Sequence, residues 1–245
     1  MFKAKRAIIL AAGFGSRMKS LTQHTPKPLI PVHGTPMIET TINCLNENGI
    51  EDIIVIVGHL KEQFDYLTTK YSNVRLVENP YYNTCNNISS IYSVRNFLDV
   101  PIIIVEGDQF FTDSSHLDLS FEHSEYNVFW TEELCNEWFI ESSDNHVFEK
   151  CNPDGGANGW ILYGVSRWTK EDANTLRECI TYEFENGTRD CYWDDIPVFL
   201  HKDKFDLYIR PMSKENHVEL DSLEELAAYD PVYLPFLEEQ THENE

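Results

Sequence analysis

Ala7-Ile8-Ile9-Leu10-Ala11-Ala12-Gly13-Phe14-Gly15-Ser16-Arg17 is the stretch from which the fold can be read. Its first four residues are apolar without interruption, the pattern of a strand buried on both faces of a parallel sheet. The glycines that follow turn the strand into a loop. A Gly- and Pro-rich stretch then runs to Gly34-Thr35-Pro36, after which Met37, Ile38, Thr41, Ile42 and Leu45 recur at helical spacing. Pro36 suits the first helical turn and Gly49 its stop. The alternation continues with a strand at 53–57 and a helix marked by Leu60, Phe64, Leu67 and Tyr71. A strand at 74–77, a helix through Ile88, Ile91 and Tyr92 with 95–98 behind it, and a strand at 102–105 follow. Strands alternating with helices over short connections predict an α/β fold with a doubly wound, mostly parallel sheet.

Beyond Asp108 the rhythm changes. Short strands are expected at 127–131, 138–141, 147–150, 161–165, 205–209 and 217–220, and helices at 170–185, within 194–200 and at 223–228. This second half reads as a smaller, mixed β wall. No linker or composition break divides the chain, so residues 1–245 are read as one domain, with halves of about 1–110 and about 111–230. The acidic tail at 238–245 is expected to fray.

Hydrophobic residues make up 42% of the chain and aromatics 13%, enough for a buried core, which excludes disorder for its bulk. The formal net charge is −22, from 19 Lys and Arg against 41 Asp and Glu. So acidic a chain repels phosphate backbones and anionic lipids, which excludes a general nucleic-acid or membrane-surface binder. A phosphorylated ligand would have to be met by a local concentration of basic residues. Lys3, Lys5, Arg6, Arg17, Lys19 and Lys27, six of the 19, fall within the first 27 positions. The six cysteines form no C-x-x-C pair and no zinc-ligand spacing, as expected of scattered thiols in a reducing compartment. The apolar run 7–12 is short for a signal segment, and no stretch approaches the ~20 residues that span a bilayer. A cytoplasmic location is expected.

Glycines directly after a buried strand let main-chain N–H groups close on phosphates; the plainer reading is a tight turn. The spacing is neither the dinucleotide fingerprint G-x-G-x-x-G nor the P-loop G-x-x-x-x-G-K. Thr25-Pro26-Lys27-Pro28-Leu29-Ile30-Pro31-Val32 follows, its three prolines holding Lys27 on a stiff loop. Val105-Glu106-Gly107-Asp108 then sets carboxylates at the carboxyl end of the fourth strand, where open α/β sheets bind ligands. Asp108 is a hard oxygen donor suited to Mg2+, or else a turn-forming Asp after Gly.

Together, L-A-A-G-x-G-S-R at 10–17, T-P-K-P-L-x-P-V at 25–32 and G-x-P-M-I-E at 34–39 resemble the nucleotidyltransferase superfamily of sugar-nucleotide pyrophosphorylases and cytidylyltransferases. The resemblance implies the Rossmann-like fold of nucleotide-diphospho-sugar transferases and Mg2+ as cofactor. It also implies that Leu10, Ala11, Ala12, Gly13, Gly15 and Ser16 hold the nucleotide, that Arg17 grips the triphosphate and that Lys27 stabilises the α-phosphate under attack. Glu106 is placed with those nucleotide-binding residues, and Asp108 falls where the family binds its metal. Asp221, within Glu219-Leu220-Asp221-Ser222, fits the second ligand; alternatively it caps the helix from Ser222, and Asp194 takes the metal. Such a set suits phosphoryl-type transfer, where the protein mainly positions groups and neutralises developing charge.

Asn86-Asn87-Ile88-Ser89-Ser90-Ile91-Tyr92, Asn136-Glu137-Trp138-Phe139 and Tyr192-Trp193-Asp194-Asp195 resemble, more narrowly, the bacterial choline-phosphate cytidylyltransferases. That resemblance implies CTP and phosphocholine as substrates, CDP-choline and pyrophosphate as products, and Asn86 and Ser89 at the pyrimidine. A quaternary ammonium makes no hydrogen bond and is recognised by aromatic faces beside a carboxylate. Trp138, Tyr192 and Trp193 with Glu137, Asp194 or Asp195 supply both, unless these aromatics are ordinary core. Phosphoethanolamine, 2-aminoethylphosphonate or a sugar 1-phosphate remain as rival acceptors. A catalytically silent nucleotide sensor on the same fold is the rival of another class.

Overall fold

Four strands, β1 (Arg6–Ala11), β2 (Asp52–Val57), β3 (Val74–Glu78) and β4 (Ile102–Glu106), lie parallel in the order β3-β2-β1-β4. They form the first half of the computed structural model, which describes residues 1–18, 20–142 and 146–237. Lys19 and the tail expected to fray at 238–245 lie outside the described residues. The uninterrupted apolar run of β1 follows from its coverage on both faces. Ile9 packs with Ile38, Ile42 and Leu45 of α1 (Met37–Glu47), while α2 (Tyr66–Lys70) adds Leu67. Ile8 packs with Ile88 and Ile91 of α3 (Ile88–Ser93) and Leu176 and Ile180 of α4 (Lys170–Glu185). At the end of α1, Gly49 has φ +79; its N–H donates to Asn46 and that of Ile50 to Leu45, the paired bonds of a Schellman stop.

The second half is not a separate wall but a mixed continuation of the same nine-stranded sheet. β5 (Glu125–Thr131), β6 (Phe139–Ser142) and β7 (Phe148–Asn152) join through β8 (Gly159–Trp168), which runs antiparallel to β4, β5 and β6. β9 (Tyr208–Pro211) adds to β5 in parallel. One edge of β8 is shared. Val165 to Trp168 pair with β4, Trp160 and Ile161 pair with β6, and residues 162–164 fall between the two partners. The sheet therefore opens at the carboxyl end of β4.

A short ladder completes that end. Gln109–Phe111 pairs antiparallel with His217–Glu219, setting Glu219 opposite Gln109 just before α5 (Leu223–Tyr229). The helix expected within 194–200 is a single π-helical turn, Ile196–Leu200, and the strand expected at 205–209 starts later, at Tyr208. The six cysteines form no disulfide. No helix among the described residues is long and apolar enough to cross a membrane.

Candidate active site

The loop after β1 wraps around Lys27. Gly15 has φ +63, and a Cβ on it would lie 2.8 Å from Lys27 Cβ and 3.0 Å from Thr22 Cγ2, so this contact admits only glycine. Lys27 opens a single 3-10 turn, Lys27–Leu29, anchored by the Leu29 N–H donating to Pro26. Its side chain is buried, and Nζ donates to Asp108 Oδ2 at 2.8 Å and to Asp221 Oδ1 at 2.7 Å. Arg17, on the turn Ser16–Met18, closes on both Asp221 oxygens at 2.9 Å. Burial, the largest influence on Lys27, lowers its pKa; Asp108 and Asp221 more than offset it and hold the ammonium above the ordinary lysine value. Leu10, Ala11, Gly13, Gly15 and Ser16 line the cleft of ≈ 250 Å³ above these ion pairs.

The basic residues close in sequence do not all converge in space. Arg6 donates to Asp52 and Asp99 at the opposite end of β1, and Lys3 lies in the edge strand Phe2–Lys3 paired with Ser120–Phe121. Six strand residues, roughly 20 Å, separate Arg6 from the glycine loop. Among the described cations of that segment, Arg17 and Lys27 line the cleft.

Two Glu-x-Asp pairs meet beneath it. Glu106-Gly107-Asp108 ends β4, and the short ladder brings Glu219-Leu220-Asp221 alongside. Carboxylate oxygens of Glu106, Asp108 and Glu219 lie within 4.8 Å of one another. Burial first, then Asp108 and Glu219, push Glu106 well above the carboxylate range. Burial, Asp108 and Asp221 push Glu219 up to about 8, with Lys27 pulling the other way. Asp221 does not cap α5: Ser222 does, in a capping box with Glu225. Asp108 Oδ1 is buried with no hydrogen-bond partner among the described residues. An orphaned carboxylate oxygen within a crowd of hard oxygen donors is what a divalent cation relieves, so these residues fit Mg2+. The sequence reading gave Glu219 no role: its strand, His217–Glu219, ends there, and only the ladder with Gln109–Phe111 brings it to the site.

Arg17 and Asp221 also line a second cavity of ≈ 310 Å³, set in the gap between β4 and β6. Glu106 faces this cavity rather than the first cleft. A Cβ on Gly164, in the gap, would come within 2.7 Å of both Glu106 Cγ and Gln109 Nε2, so the floor admits no larger residue. Trp138 and Tyr192 stand edge to face on the walls, ring centres 6.2 Å apart at 89°. Glu137 and Asp194 also line it, as does Tyr163, which the sequence pattern did not single out. Asp194 accepts a hydrogen bond from Tyr126 Oη at 2.8 Å, yet burial pushes its pKa up to about 7. Trp193 is elsewhere: 3% exposed, its ring packs on Tyr126 and Trp168, because its neighbours alternate toward the cavity while it faces the core. Asp195 accepts the Tyr192 N–H.

A third cavity, ≈ 290 Å³, adjoins the cleft through Gly13, Gly15 and Ser16. Ala12, Asn86, Asn87 and Ser89 line it, with Phe14 and Tyr82 as aromatic walls 5.3 Å apart that the pattern also missed. Ser89 is 1% exposed, and its hydroxyl already donates to Asn86 and accepts from Asn79. It shapes the loop rather than offering a free polar group.

Three adjoining cavities thus meet around Arg17, Asp221 and the glycine loop. Residues 7–138 match the MobA-like NTP transferase domain. The chain belongs to the MobA-like NTP transferase family. This NTP transferase is 40% identical over 94% of its length to a 2-aminoethylphosphonate cytidylyltransferase from Lancefieldella rimae, also covering 94% of that protein. It is 38% identical over 90% of its length to a choline-phosphate cytidylyltransferase from Streptococcus pneumoniae, covering 94% of it. The solved structure of the CTP:phosphocholine cytidylyltransferase from that species superposes with a TM-score of 0.86 at 36% identity, over 94% of this chain and 99% of the other. The chain is a nucleotidyltransferase, and the silent-sensor reading is set aside.

Proposed function

We propose that the protein transfers a cytidylyl group from CTP to phosphocholine, releasing pyrophosphate. The observation that carries this reading is the pair Arg17 and Asp221, which line both the glycine-loop cleft and the aromatic, acid-lined cavity. Two phosphates brought from opposite sides meet there. A phosphocholine oxygen forms a bond to the α-phosphorus while the bond from that phosphorus to the β-phosphate oxygen breaks, and pyrophosphate carries away the electron pair. Lys27, fixed between Asp108 and Asp221, neutralises charge gathering on the α-phosphate; Arg17 neutralises the leaving group. The phosphate nucleophile is already ionised near neutral pH, so no general base is needed. Glu106, Asp108 and Glu219, with Asp221 beside them, would hold Mg2+, which when bound offsets the repulsion between the two anions. On the acceptor side, Trp138 and Tyr192 would receive the trimethylammonium group on their ring faces, and Asp194 and Glu137 supply the negative field.

A second reading rests on the number of carboxylates. Beyond Glu106, Glu219 and Asp221, which would hold the metal, Glu137 and Asp194 line the acceptor cavity, and a quaternary ammonium can donate no hydrogen bond to either. A primary ammonium, as in 2-aminoethylphosphonate or phosphoethanolamine, would use them. Pyrophosphate release with CTP and Mg2+ over phosphocholine, phosphoethanolamine, 2-aminoethylphosphonate and glucose 1-phosphate separates the two. Preference for phosphocholine is expected; preference for a primary amine would shift the acceptor, and turnover of the sugar phosphate alone would sink both readings.

A further inference from the structure

Phe199 does not line the acceptor cavity, yet its ring meets Trp138 edge to face, with centres 5.2 Å apart at 70°. Trp138 therefore stands between two rings: Tyr192, which lines the cavity with it, and Phe199, which does not. Its main chain is tied to β8, since the Trp138 carbonyl accepts the Leu162 N–H at 3.0 Å. That bond sets where the residue sits; the flanking rings set which way the indole faces. Phe199 is 39% exposed, whereas Ile196 and Val198 of the same turn are buried. The His201 N–H donates to Ile196 at 2.8 Å, five residues back, so the turn holds one residue more than an α-helical one. Turns of this kind are rare and frequently mark functional sites. This one is anchored at its far end, where His201 Nε2 meets Glu183 Oε1 of α4 at 2.9 Å. At its near end the Val198 N–H donates to Asp194 at 3.1 Å. One fixed turn thus joins a wall of the cavity, Tyr192 and Asp194, to the ring behind Trp138.

We propose that Phe199 is a positioning residue that favours a quaternary over a primary ammonium by holding the Trp138 indole in place. A trimethylammonium group has only ring faces and a negative field to bind, so its affinity depends on where the indole stands. A primary ammonium can donate hydrogen bonds to Glu137 and Asp194 and depends on the indole less. Phe199 itself touches neither substrate; it acts through Trp138. This inference rests on the acceptor cavity proposed above.

The test measures kcat and KM for phosphocholine and for 2-aminoethylphosphonate, by pyrophosphate release with CTP and Mg2+. Phe199→Ala should raise KM for phosphocholine about fivefold, with kcat, KM for CTP and KM for 2-aminoethylphosphonate within about twofold of wild type. Phe199→Tyr, which keeps the ring, should restore the wild-type value. Phe199→Leu, which keeps apolar bulk alone, should not. In a Trp138→Ala background, Phe199→Ala should change nothing further, because the ring it holds is gone. An unchanged KM, equal losses for both acceptors, full rescue by Phe199→Leu or additive effects of the two alanine changes would overturn the positioning role and leave the acceptor cavity standing. Trp138→Ala with unchanged KM for both acceptors would overturn the cavity reading and this inference together.

Discussion

The phosphate cleft and the acceptor cavity share Arg17 and Asp221 but are built in opposite ways. Most of the cleft comes from one segment, residues 10–28, where a strand end and a proline-braced turn present main chain and two cations. The acceptor cavity draws on β4, β8, the segments at 136–138 and 192–194, and the ladder strand at 217–219. The first is a local device whose chemistry follows from glycine and lysine spacing. The second exists only because strand register leaves a gap.

If the shared floor is where transfer occurs, Asp108→Asn should cause the largest loss. It removes one of two carboxylates fixing Lys27, and turnover should drop on the order of 10³-fold with the melting temperature nearly unchanged. A drop below about tenfold would mean that Asp108 and the lysine it fixes do not stand where transfer occurs. Next in size is a stability effect confined to the acceptor side. Burial raises the Asp194 carboxyl from the ordinary aspartate range to about 7, so the native state keeps a proton that the unfolded chain releases. Its contribution is fully present below about pH 4 and is lost as pH rises through about 7, a change on the order of 4 kcal/mol. Asp194→Asn should flatten that fall in urea denaturation; parallel wild-type and variant curves would show that Asp194 ionises freely. Smallest is Trp138→Ala, expected to raise KM for phosphocholine about tenfold and leave KM for CTP unchanged. Both constants rising together would erase the distinction between the cavities.

What the sequence made legible follows the same division. The buried runs of β1 to β4 and the spacing of α1 announce the parallel half, because burial on both faces leaves an uninterrupted apolar signature. Gly13, Gly15, Arg17 and Lys27, which line one cleft, are legible for a related reason, since all four fall within a single short segment of chain. Trp193 was misplaced because an aromatic beside Tyr192 and Asp194 looks like a third wall, and only the turn before Ile196–Leu200 decides which neighbour faces the core. Arg6 is close to the glycine loop in sequence only; β1 carries it to the far end of the sheet, where it pairs with Asp52. Glu219 and Tyr163 required the ladder with Gln109–Phe111 and the register of β8, which no local pattern encodes.

The gap beside residues 162–164 is framed by ladder pairing on either side. Its width is therefore set by strand rise, roughly 10 Å for three residues, whatever side chains face it. Trp138, Glu137, Tyr192 and Tyr163 can be exchanged without breaking a ladder bond between β8 and its partners. Acceptor choice then becomes a matter of lining rather than of scaffold. On the reading proposed here, a change between quaternary and primary ammonium head groups would fall on these lining positions, while the glycine loop and its lysine stay as they are.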